Sequence, residues 1–207
     1  MVKESLVPEV VILRLPLYIR ALSQMSEEGQ AVISSKSLGN RLQITPAQIR
    51  KDLSYFGRFG KQGRGYTVDS LIEELTNILG LNRQWNSCII GVGRLGKAII
   101  NYPGFVPEGF KIISAFDNDP SKIGQTVNEI QILPVDQIKS SVEKNDIKIA
   151  ILAVPAASAQ NVITDLIDTN IKAILNYAPI APKVPTTLIL RNIDPVLSLQ
   201  SMTYYLD

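Results

Sequence analysis

A short apolar run, Cys88-Ile89-Ile90, leads into Gly91-Val92-Gly93-Arg94-Leu95-Gly96 and then into a helical pattern. A second apolar run follows and ends in Asp117, about 20 residues past the last of these glycines. Strand, glycine turn, helix, strand, acid is the order that a dinucleotide-binding βαβ unit requires. Each position has a physical reason. Gly91 permits the tight turn, Gly93 lets the backbone approach a pyrophosphate, and Gly96 lets the helix lie close to the strand. Free amides and the dipole at the helix start then favour phosphate. Asp117 would accept from the ribose hydroxyls of an adenosine, and its charge would repel a 2′-phosphate, so the pattern favours NAD(H) over NADP(H). Asp119 is a substitute for that role, and a generic tight βα turn is the competing reading of the glycines.

The chain beyond Gln84 alternates strands and helices. Strands are expected over 87–90, 111–116, 147–154, 171–175 and 187–190, and helices over 95–102, 134–143, 156–168 and 195–205. The strands are apolar throughout rather than alternating, as expected for a parallel sheet covered on both faces. The fold class is therefore α/β, with a Rossmann-type doubly wound parallel sheet. In such sheets ligands lie beyond the strand C-termini. That places Ala153-Val154-Pro155-Ala156 and Asn176-Tyr177-Ala178-Pro179 near a nicotinamide ring, with Val92, Arg94 and Leu95 of the loop along the rest of the cofactor. Packing between domains is the other explanation of those small apolar residues. If they line a dry pocket, the charged ring of NAD+ loses hydration there and neutral NADH loses little, so NADH binds better.

The first part of the chain reads as a winged helix-turn-helix. A helix from Pro8 to Met25 is expected to kink or restart at Pro16. Ser34-Ser35 can cap a second helix running to Leu42, and Gln43-Ile44 would be the turn. Thr45-Pro46-Ala47-Gln48 is a strong start for a third helix ending at Phe56-Gly57, with Thr45 capping, Gln48 reaching back and Pro46 in the first position. Gly57 to Tyr66 suggests a tight hairpin anchored by Phe59, Tyr66 and Val68, and Ser70 with Glu73 would start a fourth helix that Gly80 ends. The expected organisation is residues 1–80 as a DNA-binding domain, 81–86 as a linker, 87–192 as the dinucleotide domain and 193–207 as a terminal helix.

The net charge of +2 hides an asymmetry. Lys36, Arg41, Arg50, Lys51, Arg58, Lys61 and Arg64 crowd into the helix-turn-helix and hairpin, opposed there only by Asp52. On a wheel of about 100° per residue, Ile49, Leu53 and Phe56 of the third helix face inward. Ala47, Lys51 and Ser54 face out, flanked by Gln48, Arg50 and Tyr55. That outward set suits the major groove: Arg and Lys pair with guanine or phosphate, Gln pairs with adenine, and Ala47 allows close approach. Arg58, Lys61 and Arg64 would meet backbone or minor groove. A small helical domain with solvated cations is the plain alternative.

Absences narrow the function. No apolar run has the length needed to cross a membrane, and the N-terminus carries no secretory pattern, so a cytoplasmic protein is expected. The chain has no histidine, which excludes the common His general base and, with one cysteine, leaves no zinc site. Cys88, in a strand pattern, reads as a buried thiol. There is no Tyr-x-x-x-Lys pair and no evident substrate domain after the dinucleotide fold. Binding is more economical than catalysis, and no metal is called for.

The segment from Ser34 to Val68 resembles the winged-helix signature of the redox-sensing transcriptional repressor (Rex) family, above all in Gln48-Ile49-Arg50-Lys51-Asp52-Leu53-Ser54-Tyr55-Phe56-Gly57 and Gly63-Arg64-Gly65-Tyr66. Gly91-Val92-Gly93-Arg94-Leu95-Gly96, Asn101-Tyr102-Pro103-Gly104-Phe105, Leu175-Asn176-Tyr177-Ala178-Pro179 and Asn192-Ile193-Asp194 are similar to the same family, so the likeness covers nearly the whole chain. The resemblance implies a homodimer that binds palindromic operator DNA and represses when NAD+ is abundant. NADH then closes the dimer and releases the DNA, and the final helix, Val196–Leu206 here, reaches into the partner subunit. It also implies a switch built from Arg20, Arg94, Tyr102 and Asp194, in which Asp194 pairs with Arg20 of the partner subunit in one state and with Tyr102 or Arg94 in the other. Against that stand plainer roles: Arg94 a solvated cation, Tyr102 a core aromatic, Asp194 a helix cap. Two other functions stay open, a small NAD-dependent reductase with a docking domain and a DNA-binding protein whose dinucleotide fold serves only dimerisation.

Overall fold

The computed structural model describes residues 7–57, 59 and 65–206. The chain divides into two compact units between Arg83 and Gln84.

The N-terminal unit contains helices α1 (Glu9–Glu27), α2 (Ser35–Leu42), α3 (Pro46–Ser54) and α4 (Val68–Leu79), with two short strands, β1 (Val32–Ile33) and β2 (Tyr66–Thr67). Leu15, Tyr18 and Leu22 of α1 pack with Leu38 of α2, Ile49 and Leu53 of α3, and Leu71 and Leu75 of α4. The helix does not restart at Pro16, and α1 runs on through it. A proline inside a helix costs about 3 kcal/mol. Burying Val11, Leu15, Leu22 and Met25 along one face gains about 1.5–3 kcal/mol for each side chain, which outweighs it.

Ser34 caps α2, its hydroxyl accepting from Ser37 N at 3.0 Å, and Gln43 ends α2 in the left-handed region at φ 55°. Thr45 caps α3 as expected, accepting from Gln48 N at 3.2 Å. The fourth helix starts at Val68 rather than Ser70, because the antiparallel pairing of β1 with β2 delivers the chain there: Val68 N bonds Ala31 O at 3.0 Å. Val68 is thus helical rather than a strand anchor. Most of the expected hairpin, including Arg58, Lys61 and Arg64, lies outside the described residues.

The second unit holds, among the described residues, a seven-stranded sheet in the order β5-β6-β4-β3-β7-β8-β9. Its strands are β3 (Trp85–Ile90), β4 (Phe110–Asp117), β5 (Thr126–Val127), β6 (Ile130–Pro134), β7 (Ile149–Leu152), β8 (Ala173–Asn176) and β9 (Ile189–Asn192). All pairings are parallel except β5 with β6. Helices α5 (Arg94–Ile100), α6 (Ile138–Lys144), α7 (Ala156–Ile167) and α8 (Pro195–Thr203) complete the unit. Cys88, Ile90, Ala150 and Leu152 pack on one face with Val142 of α6 and Ile163 of α7, while Ile89, Ala115 and Ile151 pack on the other with Ile99 and Ile100 of α5. Two covered faces are why the strands read as unbroken apolar runs.

The β5–β6 hairpin is absent from the sequence reading, which takes Pro134 as a helix start. Pro134 instead ends β6, and α6 proper begins at Ile138 after a 3-10 turn. The hairpin turns through Asn128 and Glu129 at φ 46° and 66°, without the glycine that marks such turns in a sequence.

Candidate dinucleotide cleft and nucleic-acid surface

Strand order reverses at β3, whose neighbours β4 and β7 lie on either side. Beyond the strand ends lies a cavity of about 810 Å³. Gly91, Gly93, Arg94 and Leu95 line one part, Asp117, Asp119 and Lys122 another, and Val135, Ile138, Val154 and Pro155 form apolar walls.

The three loop glycines are needed for three different reasons. Gly91 has φ 92°, and a Cβ there would meet Ala153 O at 2.5 Å and Val154 Cγ1 at 2.9 Å. At Gly96 an added Cβ would collide with Gly91 O, so α5 could not sit so close to the loop. At Gly93 a Cβ would meet nothing within 4 Å, although the residue lines the cavity. That open space is what a phosphate needs.

Asp117 ends β4 and is buried. Its carboxylate accepts from Val92 N at 2.8 Å, Asp119 N at 2.9 Å and Lys122 Nζ at 3.0 Å. Burial alone would raise its pKa; the Asp119 and Val92 amides and the Lys122 ammonium hold it below the ordinary carboxylate value. A carboxylate offers about four acceptor sites, so one remains, and Asp117 is among the residues that line the cavity. Lys122, which the sequence reading missed, also lies 3.6 Å from Asp119. Asp119 accepts from Ser121 N at 2.9 Å and Ser121 Oγ at 2.7 Å, which shapes the turn after β4.

Of the expected cofactor residues, Gly91, Gly93, Arg94, Leu95, Asp117, Ala153 and Pro155 line this cavity. Val92 is buried beneath the loop and takes part through its amide, and Gly96 acts through close packing. Tyr177 is not among the residues that line the cavity; it belongs to the cluster around Ile89 and Val92, which also includes Ala153. Cys88 is fully buried, and burial pushes its thiol up to about 12.

On α3, Ala47, Arg50, Lys51, Ser54 and Tyr55 are exposed, as the helical wheel requires. Arg50 Nη1 donates to Ser35 Oγ at 3.0 Å, and Ser54 Oγ donates to Lys51 O at 2.7 Å. Gln48 does not close the expected capping box: its half-buried side chain donates to Asp52 Oδ1 at 2.7 Å. Asp52, the one acid set among these cations in the sequence, is fully buried. It accepts from Arg14 Nε at 2.6 Å, Arg14 Nη2 at 2.7 Å and Tyr18 Oη at 2.5 Å. Burial raises its pKa and the bonds from Arg14, Tyr18 and Gln48 lower it further, so the carboxyl stays below its ordinary value. The acid that seemed to oppose the basic face is thus sequestered beneath it.

Arg20 is exposed on α1. Tyr102 is not a core aromatic: it is 58% exposed and meets Phe105 edge-on at 5.2 Å. Asp194 does cap α8, accepting from Val196 N at 2.9 Å. That helix buries none of its residues, and Val196, Leu197, Leu199 and Met202 are all more than half exposed. Among the described residues no acidic, cysteine or histidine cluster could hold a metal, and no helix is long and apolar enough to cross a membrane.

Two family models match, a CoA-binding domain over residues 82–180 and a putative DNA-binding protein N-terminus over residues 6–54. The redox-sensing transcriptional repressor Rex of Chloroflexus aurantiacus is 50% identical over 206 residues, covering 100% of this chain and 97% of the relative. The Rex of Carboxydothermus hydrogenoformans is 43% identical over 198 residues, covering 96% and 95%. The solved structure of RSP with β-NAD+ and operator DNA superposes with a TM-score of 0.93 at 39% identity, covering 98% of this chain and 94% of that one. RSP with β-NADH gives 0.89 at 37%, covering 98% and 95%.

Proposed function

This chain belongs to the family of the redox-sensing transcriptional repressor Rex, and from that membership we propose that it represses transcription by binding operator DNA and lets go when NADH occupies its cleft. The observation that carries this reading is likeness over the whole chain to a repressor bound to both NAD+ and operator DNA, 98% of the chain at a TM-score of 0.93. The protein is not an enzyme, and the reductase reading is set aside. A dinucleotide fold serving only dimerisation is also disfavoured, since the RSP structures carry NAD+ and NADH. We place the protein in the cytoplasm, where operator and cofactor are both available.

The cleft residues fit a dinucleotide. The loop from Gly91 to Gly96 leaves room at Gly93 for a pyrophosphate. The free acceptor site of Asp117 suits a ribose hydroxyl, Val135 and Ile138 suit the face of an adenine, and Ala153, Val154 and Pro155 suit the dry surroundings of a nicotinamide. The acids Asp117 and Asp119 outnumber Lys122 there, which disfavours a 2′-phosphate. The bound cofactor supplies only its redox state as a signal. A thiol switch is not an alternative, because Cys88 is buried and protonated while the reactive form is the thiolate.

On the DNA side, Lys51 and Arg50, with Arg58, Lys61 and Arg64, supply cations for phosphates and base edges, while Ala47, Ser54 and Tyr55 allow close approach. Gln48, half-buried at the edge of that face, both ties α3 to Asp52 and stays a candidate to meet adenine. A homodimer would present two such helices to a palindromic site. Asp194 at the root of α8, with Arg20, Arg94 and Tyr102, would form the contacts that differ between the two states.

The direct test is a gel-shift titration on a palindromic operator with NADH and NAD+ added separately. NADH is expected to dissociate the complex and NAD+ to leave it intact; release by neither would end the sensor reading. Lys51→Ala is expected to weaken operator binding and to reduce the slope of log affinity against log salt by about 1, whatever the sequence of the site. An unchanged slope would remove Lys51 from the interface. In calorimetry NADH should bind more tightly than NAD+, and equal affinities would discard the dry-pocket argument.

A further inference from the structure

Asn176, the last residue of β8, is fully buried, and its side chain does two things at once. Its Oδ1 accepts from Ala178 N at 3.0 Å and its Nδ2 donates to Ala178 O at 3.0 Å, which folds the turn that carries Tyr177. The same Nδ2 donates to Asn192 Oδ1 at 2.9 Å. Asn192 is the last residue of β9, and Ile193 N donates to Asn176 O at 2.8 Å, so backbone and side chain tie the two strand ends together. Immediately beyond, Asp194 caps α8.

Tyr177 N donates at 2.9 Å to the carbonyl oxygen of Leu152, the last residue of β7, and the next residue, Ala153, lines the cleft. Movement of the Tyr177 turn therefore has a short mechanical route: through the Asn176 amide, to Asn192, to the first turn of α8. Among the described residues β9 is the edge of the sheet, and α8 buries none of its own residues within the chain.

We propose that Asn176 and Asn192 are positioning residues that transmit the state of the Tyr177 turn to the root of α8, and so couple the cleft to the part of the chain that answers it. This rests on the redox-sensing reading. Neither residue lines the cleft or lies on α3, so their effect is expected on the coupling alone.

The test uses the full-length protein with Asn192→Ala, which deletes the acceptor, and Asn192→Asp, which keeps it. Three quantities are measured: NADH affinity by fluorescence, operator affinity without cofactor, and operator affinity at saturating NADH. In Asn192→Ala the first two are expected to stay as in the wild type, while the ratio of the two operator affinities falls by about tenfold, inside the ordinary range of coupling between sites. NADH affinity for the protein–operator complex should rise by the same factor, because coupling is reciprocal. Asn192→Asp should restore the wild-type ratio. A wild-type ratio in Asn192→Ala overturns the proposal. So does a parallel fall of melting temperature and NADH affinity that Asn192→Asp fails to rescue, since that marks a merely structural bond. If the wild-type protein itself ignores NADH, the redox-sensing reading fails first and takes the coupling with it.

Discussion

Replacing Asp52 with alanine is expected to destabilise the N-terminal unit by about 3–5 kcal/mol, the usual cost of removing one partner from a buried ion pair. Asp52 is the single acceptor on which Arg14, Tyr18 and Gln48 converge. Without it the fully buried Tyr18 hydroxyl loses that acceptor, and the Arg14 guanidinium, whose side chain is only 20% exposed, loses its counter-charge. At about 4–8 °C for each kcal/mol in a domain of this size, the unit's melting transition should fall by well over 10 °C in calorimetry of the full chain. Operator binding should fail with it, since α3 is held to α1 through this carboxylate. Asp52→Asn keeps an acceptor for Tyr18 and should lose much less. The sign of the pH effect follows from the depressed carboxyl pKa. The stabilisation is fully present above the unfolded carboxylate value of about 3.9 and is lost as pH falls through the lower folded value. The acid limb of the wild-type melting curve below about pH 4 should therefore flatten for this unit in Asp52→Asn. A wild-type melting temperature in Asp52→Ala would sink the account.

Asp52 also marks where sequence reading stops. It sits in a run of cations and looks like one more surface charge, because its partner Arg14 lies 38 residues earlier and spacing on α3 says nothing about it. Had α1 been placed against α3, Tyr18 and Arg14 on one flank of α1 would have been the available signal. Other features were legible because they are local. The Thr45-Pro46 cap, the apolar strands and the three glycines each specify a conformation by their own chemistry. What escaped was set by tertiary context. Pro16 is carried by burial on either side, and β1 exists only because β2 returns beside it. The hairpin turn at Asn128 and Glu129 uses residues that advertise nothing. Lys122 is the local exception: it lies five residues past Asp117 and is folded back by the turn that Asp119 and Ser121 shape. Tyr177 is near the strand ends as expected, in the cluster that also holds Ala153, yet it is not among the residues that line the cavity.

Gly93→Val is expected to yield a repressor that folds, binds operator and no longer hears NADH. The three glycines separate fold from ligand. Gly91→Ala forces an L side chain into φ 92° against the Ala153 carbonyl, and Gly96→Ala drives α5 off the loop, so both should lower stability together with cofactor affinity. Gly93 has ordinary dihedrals for any residue, φ −78° and ψ −161°, and a Cβ there meets no protein atom within 4 Å. The side chain would instead occupy the space along the cavity that the pyrophosphate needs. The melting temperature should stay near the wild-type value, while NADH affinity falls by at least about 100-fold, about 2.8 kcal/mol. With the coupling ligand lost and the DNA-reading unit untouched, the protein–operator complex should persist at NADH concentrations that dissociate the wild type. Differential scanning calorimetry, NADH fluorescence titration and a gel shift on one preparation settle the matter. Wild-type NADH affinity in Gly93→Val would move the phosphates away from this loop, and the cleft would need another occupant.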